Sequence, residues 1–200
     1  MHVQISNKAI RGLSFLFARL PSAEKWLHFT TLSWVLFQLL TSAGMHVINE
    51  STVYHLTLID HVHMYGGVGL LLFSMVFFVT VINRRPITDL YPWLFGNIKR
   101  IKADIRIMKS GRLPSPKPGG LAAAVEGLGL LALILAAVTG AIWAIAMLNE
   151  NPLSPDFLAI HKISVTAIEA YVWGHGLFAL FHLILWWRRG KRARSHLSYK

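Results

Sequence analysis

Long runs of apolar residues alternate along the chain with shorter polar and basic stretches. Four of these runs reach the roughly 20 residues that a helix needs to cross the hydrocarbon core of a bilayer. They cover residues 26–46, 61–83, 121–148 and 157–187. Backbone N–H and C=O groups must be paired within the protein in lipid, so each run is predicted to be helical. The pattern predicts an all-α membrane protein, a four-helix transmembrane bundle in which residues 1–200 form a single membrane domain.

The stretch between the second and third apolar runs has a pattern of its own. Apolar and basic residues alternate at helical spacing over residues 90–110, which is typical of an amphipathic helix lying at a membrane interface. The sequence Pro-Ser-Pro-Lys-Pro-Gly-Gly at 114–120 then predicts a stiff hinge. This segment is interpreted as a membrane-anchored connector, with a docking surface or a lid over a pocket as the alternative.

The distribution of charge predicts how the chain is oriented. Of the 20 lysines and arginines, 19 precede the first run, lie between the second and third, or follow the fourth, and Lys162 is the exception. By the positive-inside rule, both termini and the middle segment are expected in the cytoplasm, as in a multi-pass protein of the bacterial cytoplasmic membrane. The net charge of +11 is therefore assigned to orientation and to membrane lipid, and no nucleic-acid partner is expected.

Composition narrows the chemistry. Hydrophobic residues make up 54% of the chain and charged residues 14%, which is too apolar for an ordinary soluble domain. The first 20 residues are amphipathic and lack a long apolar core, so no signal peptide is predicted. The sequence contains no cysteine, which excludes disulfides, thiolate-bound iron–sulfur clusters and thioether-linked haem.

Several of the ten histidines fall within or beside the apolar runs, where an ionisable side chain is costly and usually functional. His161 and His175 are 14 residues apart in the fourth run. On a helix this spacing returns to nearly the same face and rises about 21 Å along the axis. One helix therefore offers two imidazoles at two depths of the membrane.

Two further histidines lie at matching depths. On the predicted topology, His63 lies on the outer side, level with His161, and His28 on the inner side, level with His175. Helical bundles build cofactor sites from side chains on facing helices, and imidazole is a good ligand for iron. The sequence predicts two non-covalent, bis-histidine b haems, with an outer iron held by His63 and His161 and an inner iron held by His28 and His175. Zinc or copper remains an alternative by ligand type alone.

Two ligand choices stay open. His61 points about 200° away from His63 on a helix, and His63 is preferred because glycines follow it and permit close approach of a cofactor or helix. His182 shares the face of His175 about 10 Å deeper, so it is either an alternative ligand or a quinone or proton site. The lone acids Glu126 and Glu169 are interpreted as proton relays or as helix contacts. Arg84 and Arg85 are interpreted as anchors or as partners of haem propionates.

At these residues the chain resembles the prokaryotic cytochrome b561 family. The resemblance runs from about Lys25 to Arg189 and rests on the order and spacing of short motifs. These are Trp26-Leu27-His28, His63-Met64-Tyr65-Gly66-Gly67, Gly119-Gly120-Leu121, Val138-Thr139-Gly140, and His161 followed by His175 and His182. In the family pattern, the histidine of the first span pairs with the second histidine of the fourth, and the histidine of the second span with the first.

The resemblance implies a di-haem electron carrier similar to the cytochrome b subunits of nickel–iron hydrogenases and membrane-bound formate dehydrogenases. Such a subunit exchanges electrons with quinone and with an iron–sulfur subunit or a cytochrome c, as part of a respiratory oxidoreductase complex. A stand-alone oxidoreductase acting on a small oxidant or reductant at the outer face is the alternative, and a non-haem metal transporter or channel is a third reading. Histidines that many stand-alone members carry early in the third span are absent from Ala123 to Gly127, which favours the subunit.

Overall fold

A computed structural model describes residues 21–45, 56–115 and 117–197 of the chain. Within these ranges the protein is all-helical and contains no strand. The helices are α1 (Ser22–Ser42), α2 (Leu58–Arg84), α3 (Ile87–Leu90), α4 (Lys99–Lys109), α5 (Leu121–Leu148) and α6 (Ser154–Leu197). The all-α class predicted from the sequence is confirmed.

Three of the described helices are long and apolar enough to cross a membrane. They are α2, α5 and the part of α6 from Ser154 to Ile184. Helix α1 is of comparable length but more polar, because His28, Thr31 and Gln38 interrupt its apolar residues. Many large side chains on the outer faces are exposed, including Leu72 and Ile163, as suits contact with lipid.

The helix bounds differ from the predicted spans mainly at the ends. Helix α1 begins after Pro21 and ends at Ser42, whereas the predicted first span ran from 26 to 46. Residue 46 and the leading segment 1–20 lie outside the described residues. The amphipathic helix predicted over 90–110 is shorter, because Leu90 ends α3 and the regular helix runs only over Lys99–Lys109.

Side-chain hydrogen bonds to the backbone fix where two long helices begin. The Thr57 hydroxyl accepts from the Asp60 N–H at 3.3 Å, and the Asp60 carboxylate accepts from the Thr57 N–H at 2.7 Å, forming a capping box for α2. Helix α5 follows Gly119, whose φ of 65° suits glycine. The Asp104 carboxylate of α4 accepts from the Leu121 N–H at 2.8 Å, so α4 docks on the start of α5 and caps it.

The long helices pack as a chain of neighbours. Helix α1 packs against α2, α2 against α5, and α5 against α6. Glycines on α5 permit the close approach of α3 and α6, since a side chain at Gly127 would meet the Leu90 carbonyl oxygen and one at Gly129 would meet the Tyr171 ring. The central core cluster takes one or more side chains from each long helix: Val35, Leu70, Leu133, Ala136 and Ile168.

A seam separates α6 from α1 and α2. Among the described residues, the backbone of α6 runs closely along α5 but makes at most isolated close approaches to α1 and α2. Side chains meet across this seam at mid-depth, in the central core cluster. Above and below that cluster, the seam is spanned by two pairs of histidines.

Candidate functional site

The first histidine pair lies where α2 begins and α5 ends. His63 of α2 and His161 of α6 face each other across the seam with ring centres 6.5 Å apart and an interplanar angle of 64°. Both rings border a small cavity of about 70 Å³. Its wall is apolar apart from these imidazoles and a few polar groups, and it takes residues from all four long helices: Val35, Gln38, Leu70, Leu133, Gly140 and Ile168 among them.

The Nδ1 atom of His161 has a partner that settles which ring nitrogen is protonated. It lies 3.1 Å from the Ala136 carbonyl oxygen, which can only accept a hydrogen bond. Nδ1 therefore carries the proton and Nε2 keeps a free lone pair. Trp143 lies parallel to the ring, and a side chain on Gly140 would come within 2.9 Å of its Cε1 atom. The imidazole is thus held in the tautomer that binds a metal through Nε2.

His63 is held by polar groups of α1. Its Nδ1 lies 3.0 Å from the Thr41 hydroxyl oxygen. The amide of Gln38, buried in the bundle, lies beside the same turn of α2 and contacts the backbone of His63 and Gly67. Gly66 leaves room for this amide, since a side chain there would collide with it. Sequence reasoning missed both Thr41 and Gln38, although they continue the stripe of inward positions that includes His28, Thr31 and Val35.

The second histidine pair lies at the opposite end of the seam. His28 of α1 and His175 of α6 have ring centres 6.1 Å apart and an interplanar angle of 60°. Tyr171, one turn before His175, stacks on its ring with centres 5.2 Å apart. The Thr31 hydroxyl, one turn along α1 from His28, is buried and has no hydrogen-bond partner among the described residues. An unmatched buried hydroxyl of this kind is satisfied when a polar ligand is present.

The spacing of both pairs fits a metal ion between trans imidazoles. An imidazole nitrogen binds a transition metal at about 2.0–2.1 Å and lies about 1.1 Å from its ring centre, which puts two trans imidazoles about 6.3 Å apart between centres. The observed separations are 6.1 and 6.5 Å. The described residues contain no group of three or more histidines or acids placed to hold a metal ion. Each pair could therefore supply two imidazole ligands to a metal centre whose other ligands come from a cofactor.

The other candidate histidines lie apart from these pairs. His61 bonds through Nδ1 to the Thr57 carbonyl oxygen at 2.9 Å and stacks on Tyr65. His182 bonds through Nδ1 to the Phe178 carbonyl oxygen at 2.9 Å, and its ring lies against Phe178. The structure therefore brings His63 opposite His161 and His175 opposite His28, and it leaves His61 and His182 outside both pairs.

Two ion pairs join the helices at the end of the bundle nearer His28. Arg84 binds the buried carboxylate of Glu24, and Arg85 binds Glu126. These arginines, considered above as partners of haem propionates, are thus engaged by carboxylates, and Glu126 makes a helix-to-helix contact. Tyr91 is buried close to Glu126, and both the burial and the nearby carboxylate raise the pKa of its phenol.

Comparison with known proteins finds no matching family model, no matching curated protein and no matching solved structure.

Proposed function

We propose that this chain is a di-haem b-type cytochrome of the bacterial cytoplasmic membrane, carrying electrons between a redox partner at the outer face and the quinone pool. The observation that carries the proposal is the pairing of four histidines in two couples across one helix seam, at 6.1 and 6.5 Å between ring centres. In this proposal α1 is the fourth membrane span, and the family is that of the prokaryotic cytochromes b561.

The residues present fit the proposed group at both ends of the seam. His63 and His161 would hold one haem and His28 and His175 the other, with the two sites about 21 Å apart along α6. When bound, haem supplies one-electron redox chemistry, whose potential depends on axial ligation, burial and hydrogen bonding. A haem held by either pair would lie between helices whose backbones approach each other only at isolated points.

The groups around His161 orient that ligand. The Ala136 carbonyl fixes the ring of His161 through Nδ1, and Trp143 packs on its face. Apolar side chains of the central core cluster separate the two sites and exclude water between them. On the predicted topology the His28–His175 site lies on the cytoplasmic side of the bundle, as α3 and α4 do.

His182 is the proposed proton donor to quinone near that face. Its Nδ1–H donates to the Phe178 carbonyl, so Nε2 is the ring nitrogen left to exchange a proton with a bound quinone. The redox partner is proposed to be an iron–sulfur subunit of a dehydrogenase or hydrogenase, or a cytochrome c. A stand-alone oxidoreductase remains the second candidate on the resemblance alone.

Electron transfer across a sealed membrane tests this function. The haem-loaded protein is reconstituted into liposomes that contain trapped ferricyanide, and a membrane-impermeant reductant is added outside. We expect the trapped ferricyanide to be reduced only when the protein is present. This reduction should be lost in His28→Ala and in His161→Ala. A protein that binds haem but gives no internal reduction above protein-free liposomes would contradict the transmembrane function.

A further inference from the structure

The Thr41 hydroxyl can only accept a hydrogen bond from His63, because its own proton is donated elsewhere. Its oxygen lies 3.1 Å from the Phe37 carbonyl oxygen and 3.0 Å from the Gln38 carbonyl oxygen, one turn back on the same helix. Both carbonyls can only accept, so the single hydroxyl proton is directed to the backbone. The lone pairs of the oxygen are left for the Nδ1–H of His63, 3.0 Å away.

Gln38 favours the other tautomer of the same imidazole. With its amide oriented so that every backbone contact is complementary, the nitrogen donates to the His63 carbonyl oxygen at 3.1 Å and the oxygen accepts from the Gly67 N–H at 3.2 Å. The amide nitrogen then also lies 3.1 Å from Nδ1 of His63. As a donor, it favours the tautomer in which Nδ1 is unprotonated and the proton sits on Nε2. That tautomer has no lone pair on Nε2 for a metal.

Thr41 and Gln38 therefore stabilise different tautomers of one imidazole. His161 has no such competition, because a main-chain carbonyl accepts its Nδ1–H and Thr139 lies farther away, at 3.3 Å. A main-chain carbonyl cannot be removed by substitution, whereas the hydroxyl of Thr41 can. Substitution of Thr41 can therefore change which nitrogen of His63 is protonated, whereas the tautomer of His161 is fixed by the main chain.

We propose that Thr41 is a positioning residue for the His63–His161 site: its hydroxyl holds His63 in the metal-binding tautomer and sets the electron-donating strength of Nε2. A hydrogen bond from Nδ1–H to an acceptor makes Nε2 a stronger donor, which favours oxidised iron and lowers the reduction potential. Thr41 thereby sets the potential of one of the two sites without contacting the cofactor. This inference rests on the proposed haem function.

The test compares Thr41→Val with two matched variants. Valine keeps the shape of threonine and removes the acceptor, Thr41→Ser restores it, and Thr139→Val removes the corresponding hydroxyl beside His161. Each purified protein is stripped of haem, titrated with haemin, and then examined by redox titration of its visible spectrum and by low-temperature EPR. Assignment of the two sites comes from His63→Ala and His28→Ala.

We expect Thr41→Val to weaken haemin binding at the His63–His161 site about tenfold. The ratio of reduced to oxidised iron at this site should rise about tenfold, which corresponds to an increase in reduction potential of about 59 mV for one electron. The EPR g-values of this site should change, while the His28–His175 site keeps its affinity, potential and g-values. Thr41→Ser and Thr139→Val should both match the wild type.

Three outcomes overturn the inference, and they are distinguishable. If the wild type binds two haems and Thr41→Val leaves affinity, potential and g-values of both sites unchanged, Thr41 has no positioning role although the haem function stands. If Thr139→Val changes the site as much as Thr41→Val does, loss of a hydroxyl beside either ligand has the same effect, and the explanation from competing tautomers at His63 fails. A wild type that binds no haemin would remove the haem function and the role of Thr41 together.

Discussion

The imidazole of His28, near the start of α1, faces that of His175 on α6 with ring centres 6.1 Å apart. The two residues lie on the first and last of the four long helices, and their helices make little direct backbone contact. Facing side chains on two helices of a bundle are the arrangement from which bundles build cofactor sites.

Single-histidine variants should empty one site at a time. The variants His63→Ala and His161→Ala should each lose the haem of the His63–His161 site and keep the other. The variants His28→Ala and His175→Ala should lose the haem of the His28–His175 site instead. In each case the remaining histidine would hold the haem by a single bond and by packing. Haem per chain and the EPR spectrum of the remaining haem check this. If His182→Ala emptied a site while His175→Ala left both filled, the assignment of His175 would be wrong.

Gly140 should be intolerant of any side chain. A methyl group there would lie 2.9 Å from Cε1 of His161, so Gly140→Ala should displace that imidazole and weaken haem binding at the His63–His161 site about tenfold. Gly174→Ala is the control, because a methyl group there meets nothing within 4 Å. Haemin titration measures both. Equal affinities in the two variants would show that contact with Gly140 does not position His161.

The ion pair between Glu24 and Arg84 should contribute to stability rather than to redox chemistry. Glu24→Gln leaves the arginine without a counter-charge, and Arg84 is partly exposed, so the cost should be about 1–2 kcal/mol. In a chain of this size that lowers Tm by about 2–8 °C. Both haem potentials should stay unchanged, and Glu150→Gln in an exposed turn should leave Tm unchanged. A shifted potential with unchanged Tm would instead assign Glu24 to the cofactor site.

His182 should matter for quinone and not for haem. His182→Phe is expected to keep two haems with unaltered spectra and to be reoxidised slowly by a quinone analogue, because the ring nitrogen that exchanges the proton is gone. Stopped-flow oxidation of the dithionite-reduced protein measures this. Wild-type reoxidation kinetics in His182→Phe would remove His182 from the reaction with quinone.

The features that could be predicted from the sequence are those that depend on the geometry of a single helix. The spacing of His161 and His175 follows from the helical repeat, so their common face was predictable, and depth in the membrane then indicated His63 and His28 as partners. The all-α class followed from the apolar runs. Both are consequences of backbone geometry within one element.

Features that depend on the register between helices were not predictable from one sequence. The placement of Thr41 beside His63 depends on how α1 and α2 align, and the contact of Arg85 with Glu126 depends on how α2 meets α5. The ends of the helices were also not predicted correctly. Helix α1 begins directly after Pro21, before the apolar run starts. A polar residue within a span, such as Gln38, was the available signal for a group that orients a ligand.

Haem content is the most direct test of the central claim. The protein, purified from membranes of cells supplied with a haem precursor, is analysed as its pyridine haemochromogen against protein determined by amino-acid analysis. We predict two b-type haems per chain, extractable by acid acetone because no thioether links exist, with a low-spin six-coordinate spectrum. A colourless protein, or one haem per chain at saturation, would contradict it.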